Sequence, residues 1–194
     1  IALKPDFTEA HYNLGVTLQK LDRLEEAEVS YSQAIALKPN FAEAHSNLGN
    51  TLKELGRLSE SEASYMQAIA LQPDDAEAHY NLGNALKKLG KLDESEASLR
   101  QAIALKPDFA EAHSNLGITL KELGRLDEAE ASYTQAIALK PDFAKVHSNL
   151  GGTLEELGKL DEAEASYRQA IRLKHDYALA HSHLSKVLYV KGYK

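Results

Sequence analysis

The stretch AEAHSNLGITLKELGRLDEAEASYTQAIALKPDF, residues 110–143, decides the fold. Its apolar residues fall at Leu116, Leu120 and Leu123, then at Leu126, Ala129, Tyr133, Ala136 and Ile137. Steps of three and four are the period of a helix seated on a core. Gly124 interrupts the run, which suits a helix C-terminus. Pro141 ends the second segment, because a prolyl nitrogen has no hydrogen to donate inside a helix. The stretch predicts two helices, A and B, joined by a Gly-containing turn and followed by a Pro-containing one.

Outward from this stretch, the pattern returns every 34 residues, with Pro5, Pro39, Pro73, Pro107 and Pro141 in register. Near-copies occupy 8–41, 42–75, 76–109, 110–143 and 144–177, with partial copies at 1–7 and 178–194. A fixed period of this size means stacked units that bury their apolar faces on one another rather than around one core. The expectation is an all-α solenoid of about eleven helices, a single array whose extended groove holds another molecule. Ile1–Phe7 repeats the tail of each copy and Lys191–Lys194 stops short of a next helix, so the chain reads as a piece of a longer array.

Local signals agree. Asp108/Glu111 and Asp127/Glu130 have capping-box spacing at the two helix starts, as do Asn40/Glu43, Asp74/Glu77, Asp93/Glu96 and Asp161/Glu164. Lys38, Lys106, Lys140 and Lys174 are expected in last turns, where cations suit the helix dipole. Leu14, Leu48, Leu82, Leu116, Leu150 and Leu184 form one expected core column, and Leu18, Leu52, Leu86, Leu120, Leu154 and Leu188 another. Gly15, Gly49, Gly83, Gly117 and Gly151 fall mid-helix, where Gly costs ~1 kcal/mol against Ala, and close approach of a neighbouring helix is the expected return.

Composition narrows the function. Apolar residues are 43% of 194, too many for a disordered chain. A net charge of −7 lacks the basic stripe that phosphate backbones require, so nucleic acid is not the expected partner. No apolar run reaches the roughly 20 residues a membrane helix needs. With no Cys and no visible signal peptide, a cytoplasmic location is expected.

Repeat 1 reads His11-x2-Leu14-Gly15-x2-Leu18, then Ala27-x3-Tyr31, then Pro39, and repeat 4 reads His113, Leu116, Gly117, Leu120, Ala129, Tyr133, Pro141. This resembles the tetratricopeptide repeat, or TPR, along the whole chain. The resemblance implies a right-handed superhelix with helix A lining the concave side. Departures are His at the first signature position of every copy, Ser61 and Ser95 for the helix-B Ala, Leu99 for Tyr, and His175 for the last Pro. The wording HSNLGNTLKELGRL and HSNLGITLKELGRL is also similar to the repeat region of O-GlcNAc transferases. It is similar too to bacterial arrays that precede a glycosyltransferase or sulfotransferase domain.

On helix A, the face opposite the core carries Asn13, Asn47, Asn81, Asn115 and Asn149. An amide donates and accepts, so a row of them suits the backbone of an extended peptide. The resemblance implies that role, while bonding within or between helices is the alternative. Specificity is expected where the copies differ. Those positions are Tyr12, Ser46, Tyr80, Ser114 and Ser148; then Val16, Asn50, Asn84, Ile118 and Gly152; then Gln19, Lys53, Lys87, Lys121 and Glu155. Tyr12, Tyr80, Asn50, Asn84, Lys53, Lys87 and Lys121 are the candidates to read side chains, and the lysines point to an acidic ligand. The alternative for them is solvated surface with local ion pairs. The family's carboxylate clamp is not expected, since Glu9, Glu43, Glu77 and Glu111 hold its early positions and Lys145-x3-Asn149 lacks the Arg.

His11, His45, His79, His113, His147 and His181 stand one per repeat. Helices pack ~8–10 Å apart, too far for a shared metal held at ~2 Å, so packing is their expected work and no metal or cofactor is expected. Their protonation near pH 6 is expected to loosen the repeats. Catalysis has no support: there is no Cys nucleophile, no phosphate loop and no HExxH motif, and the adjacent His45 and Ser46 diverge on a helix. The expected function is a non-enzymatic scaffold binding an extended peptide or protein segment. The alternatives are a substrate-recruiting arm of a larger transferase and an array that associates end to end.

Overall fold

The computed structural model describes residues 7–192. Ile1–Asp6 of the first partial copy, and Tyr193 and Lys194, lie outside them. The described residues form eleven helices and no strand. The A helices are α1 (Thr8–Lys20), α3 (Ala42–Glu54), α5 (Ala76–Lys88), α7 (Ala110–Glu122), α9 (Ala144–Glu156) and α11 (Ala178–Val190). The B helices are α2 (Leu24–Leu37), α4 (Leu58–Leu71), α6 (Leu92–Leu105), α8 (Leu126–Leu139) and α10 (Leu160–Leu173).

The chain divides into two compact units, Ile1–Leu105 with α1–α6 and Lys106–Lys194 with α7–α11. Within each, an A helix packs along the B helix of its own repeat, and that B helix packs on the next A helix. Successive A helices also touch, α1 with α3 and α3 with α5 in the first unit, α7 with α9 and α9 with α11 in the second. Among the described residues the backbones of successive B helices within a unit stay farther apart and are bridged by side chains, as Arg57 at the start of α4 reaches Glu28 of α2 at 2.6 Å. The A side of each unit is therefore its inner side.

The A–B turn is a Schellman closure. Arg57 N–H donates to Leu52 O at 2.9 Å and Gly56 N–H to Lys53 O at 3.2 Å. Gly56, Gly90, Gly124, Gly158 and Gly192 carry this turn at φ between 76° and 84°. In repeat 1 the left-handed residue is Asp22, at φ 58°.

The helix starts differ from the expected capping boxes. The N-cap residues are Phe41, Arg57, Phe109 and Arg125, none with a side-chain cap bond, so Asn40 and Asp108 stand one residue too early and Asp127 two residues too late. At the B-helix starts a cation takes over: Arg23, Arg57 and Arg125 grip Glu26, Glu60 and Glu128 three residues on. Helix α5 has a side-chain cap, Asp75 accepting from Glu77 N and Ala78 N. Asp75 stands where the other repeats place an aromatic. There the C-cap lysine, just beyond the helix rather than in its last turn, covers the ring: Lys38 over Phe41, Lys106 over Phe109, Lys140 over Phe143 and Lys174 over Tyr177, at 4.4–5.6 Å.

The core lies between A and B helices. Tyr31, Tyr65, Tyr133, Tyr167 and Leu99 are fully buried from the B side, each contributing roughly 1.5–3 kcal/mol. The second Leu column is buried from Leu18 to Leu154, whereas in the first only Leu82 and Leu116 are buried and Leu14 is 49% exposed. Leu14 lies on α1, which among the described residues has no helix before it to cover that face. The departures have local reasons. Ser61 and Ser95 donate to the carbonyls of Gly49 and Gly83 at 2.7 and 2.8 Å. Leu99 takes the Tyr's place against Gly83, and the His175 carbonyl accepts from His181 as the prolyl carbonyls do elsewhere.

Candidate functional site

The inner face of each unit is built from residues one or two helical turns apart on the A helices. In the first unit, Asn47 Nδ2 donates to the Tyr12 hydroxyl at 3.0 Å, joining α3 to α1. The Tyr12 ring lies 4.8 Å from that of Phe41 and 6.0 Å from that of Tyr31. Tyr12 and the exposed Asn13 line a cleft of about 350 Å³ with Glu9, Phe41 and Glu43. Lys53 Nζ donates to Asn50 Oδ1 at 3.3 Å and to Asn81 Oδ1 at 3.4 Å, joining α3 to α5. Desolvation lowers the Lys53 pKa, against the pull of Glu54 and with the push of Lys88. Tyr80, Asn84 and Lys87 are half-buried on α5.

In the second unit, Asn115 is half-buried on α7 and Asn149 lines a cleft of about 480 Å³ with Ile118, Lys121, Tyr133, Lys145 and Glu156. Lys121 forms an ion pair with Glu156 at 2.9 Å. Glu155 is held by Lys186 at 2.5 Å. Burial opposes its ionisation, but Lys186, Tyr167 and His183 outweigh burial and keep its pKa below the usual carboxylate value. His183 stacks on the Tyr167 ring at 5.4 Å and 10°.

The structure thus gathers Tyr12 with Asn47, and Asn50, Lys53 and Asn81 with one another, while Lys121 pairs within its own unit. It corrects one expectation: Ser114 and Ser148, placed in the groove by pattern, are buried, at 4% and 5% exposed. It adds one feature that sequence reasoning missed. Helix-B tyrosines reach through to inner-face residues, Tyr31 O–H donating to Gln19, Tyr65 to Asn50 and Tyr167 to Glu155, at 2.7–3.2 Å. The signal was present, since Gln19, Asn50 and Glu155 are acceptors at positions that vary between copies. Burial raises the pKa of these three tyrosines and of Tyr133.

The histidines have a structural occupation. Nε2 of His45, His79, His113 and His147 lies 2.9–3.1 Å from the carbonyl of Pro39, Pro73, Pro107 and Pro141. A carbonyl only accepts, so Nε2 carries the hydrogen and the ring tacks each B-to-A turn onto the following helix. That hydrogen is donated by neutral and charged imidazole alike, which removes the breaking of this contact as a route to acid loosening. Among the described residues no cluster of three or more His, Asp or Glu is placed to hold a metal. No described helix is long and apolar enough to cross a membrane.

Residues 20–56, 49–90 and 83–124 match a family model described as TPR repeat, and 114–178 and 8–31 match models described as tetratricopeptide repeat. A comparison with curated proteins gives no match. Among solved structures, the chain is similar to MamA, at 26% identity and TM-score 0.82 over 90% of this chain and 96% of that one. It is similar to YrrB, described as a TPR protein with an unusual peptide-binding site, at 26% identity and TM-score 0.79 over 91% and 90%. Similarity to PilF of Pseudomonas aeruginosa, at 19% identity and TM-score 0.84 over 96% and 85%, is one of fold alone.

Proposed function

Because this chain belongs to the tetratricopeptide repeat family, we propose that it is a non-catalytic scaffold holding an extended peptide or protein segment along the inner faces of its A helices. The observation that carries this reading is the amide row. Asn13, Asn47, Asn81, Asn115 and Asn149 recur at one position of α1, α3, α5, α7 and α9, where α11 has His183, on the side where successive A helices meet. An amide has two donors and an acceptor, and the bond from Asn47 to Tyr12 uses one donor only. Each such side chain then offers the segment's backbone a partner independent of its sequence, while Tyr12, Tyr80, Asn50, Asn84, Lys53, Lys87 and Lys121 read its side chains. Similarity to YrrB, whose description names a peptide-binding site, supports the reading.

The test is peptide display on the chain beside a variant with Asn47, Asn81 and Asn115 changed to Ala. Peptides enriched on the native chain and lost on the variant support backbone clamping. Enrichment that survives the three changes, or none at all, assigns the row to helix packing.

A second reading is favoured by exposed apolar side chains on α1 and α11. Phe7, Leu14 and Leu21, and Leu179, Tyr189 and Val190, are between 46% and 82% exposed. End-to-end association of copies would cover them. Sedimentation over a concentration series tests it: a constant monomer removes this reading and leaves the first.

A further inference from the structure

Lys53 differs from the other inner-face cations whose partners are known. Its Nζ donates only to two neutral amide oxygens, Asn50 Oδ1 at 3.3 Å and Asn81 Oδ1 at 3.4 Å, both long. An ammonium has three hydrogens, so one is left. The Tyr65 ring stands 5.8 Å from Nζ and presents a face that suits a cation. No carboxylate among the described residues pairs with it; Glu54 and Lys88 act from farther off with opposite signs. Lys121, at the same position two repeats on, is neutralised by Glu156 at 2.9 Å. One repeat further the position is Glu155, which holds Lys186. On the inner face of the first unit Lys53 is therefore a half-buried ammonium without a carboxylate partner among the described residues, whereas Lys121 and Glu155 of the second unit are each compensated.

A half-buried ammonium without a counter-ion has lost part of its hydration and gained only weak dipoles in exchange, so it is poised for an anion. We propose that Lys53, oriented by Asn50 and Asn81, is a carboxylate subsite that takes one Asp or Glu side chain of the held segment. The bound oxygen accepts the third Nζ hydrogen, and the amide oxygens keep the ammonium aimed. This deepens the reading given above and rests on it for the occupant, though not for carboxylate binding itself. It also gives the segment a register, since one acidic side chain is fixed at the junction of α3 and α5.

The probe is N-acetylglutamate N-methylamide, with N-acetylglutamine N-methylamide as its uncharged counterpart, followed by NMR of the chain carrying 13C,15N-labelled lysine. The expected result is a saturable shift of the Lys53 Nζ and Cε signals with the glutamate probe, none with the glutamine probe, and no shift at Lys121. In a second, uniformly 15N-labelled sample the backbone signals of Asn50 and Asn81 move in parallel, and in Lys53→Gln they respond about tenfold more weakly, as expected for loss of one charge-assisted bond. An unmoved Lys53, an equal response to both probes, or a uniform drift of all lysines that salt reproduces would each overturn the proposal. Because the decisive signal is read in the native chain, it stands even if Lys53→Gln folds poorly. If Lys53 responds while peptide display enriches nothing, the subsite holds and the held-segment reading falls. If display succeeds while Lys53 stays silent, the reverse is true.

Discussion

A Cβ added to Gly117 would lie 2.7 Å from Cε1 and 2.8 Å from Cδ1 of the Tyr133 ring. The relationship recurs as Gly15 with Tyr31, Gly49 with Tyr65 and Gly151 with Tyr167. Helix A gives up a side chain so that a fully buried ring can lie against its backbone. The ring is hemmed in by the core and cannot swing aside, so the missing Cβ is a condition of A–B packing.

Gly117→Ala is therefore expected to destabilise the chain by about 1–2 kcal/mol, overpacking outweighing the helix-propensity gain. Gly152, also on an A helix, faces the end of a flexible side chain, Lys121 Nζ at 3.2 Å. Gly152→Ala is expected to be neutral or stabilising by up to about 1 kcal/mol. Urea unfolding of both variants checks the pair, and equal losses would contradict the packing argument.

Four buried tyrosines predict an alkaline limit to stability. Burial raises the pKa of Tyr31, Tyr65, Tyr133 and Tyr167 in the folded chain. Their contribution is complete below the unfolded value of about 10 and is lost as pH rises above it towards the folded values. Absorbance near 295 nm, followed with far-UV circular dichroism, should show these four ionising together with helix loss. Four phenolates formed with helicity intact would refute it.

On the acid side the sign reverses. Glu155 and Glu111 have folded pKa values below the ordinary 4.5, Glu155 through Lys186 and Tyr167 against the opposing effect of burial, Glu111 chiefly through Lys140. Their stabilisation is full above about pH 4.5 and is lost as pH falls through the depressed values. Melting temperature should fall below that point, and less steeply in Glu155→Gln. The same slope in the variant would show that the Glu155 site is not a source of the acid loss.

Tyr12→Phe releases Asn47 Nδ2 from its bond across α1 and α3. The expected cost is about 0.5–1.5 kcal/mol of stability. If Asn47 serves a peptide backbone and Tyr12 reads a side chain through its ring, which Phe retains, the released donor should keep or improve the affinity of any peptide selected on the native chain. Fluorescence anisotropy measures this, and loss of binding would mean that the Tyr12 hydroxyl, rather than Asn47, holds the peptide.

Helix type and the Gly positions of the turns could be read from residues 110–143, and helix number from the return of that pattern along the chain, because the 3.6-residue period, Gly124 and Pro141 are local signals repeated in register. The amide row and the identity of inner-face candidates could be read as well, since repetition exposes both what is constant and what varies. Packing decided the rest. The same period placed Ser114 beside Asn115 in the groove, yet Ser114 is buried and Asn115 half-buried, because burial depends on the neighbouring elements and not on the helical period alone. The capping-box spacing was real, but the chain enters three of its B helices through arginine–glutamate pairs. Above all, Lys53 and Lys121 are equivalent in sequence. Only the tertiary structure brings Glu156 to one and neutral amides to the other, because the charge an ammonium meets depends on the next helix over and not on its own.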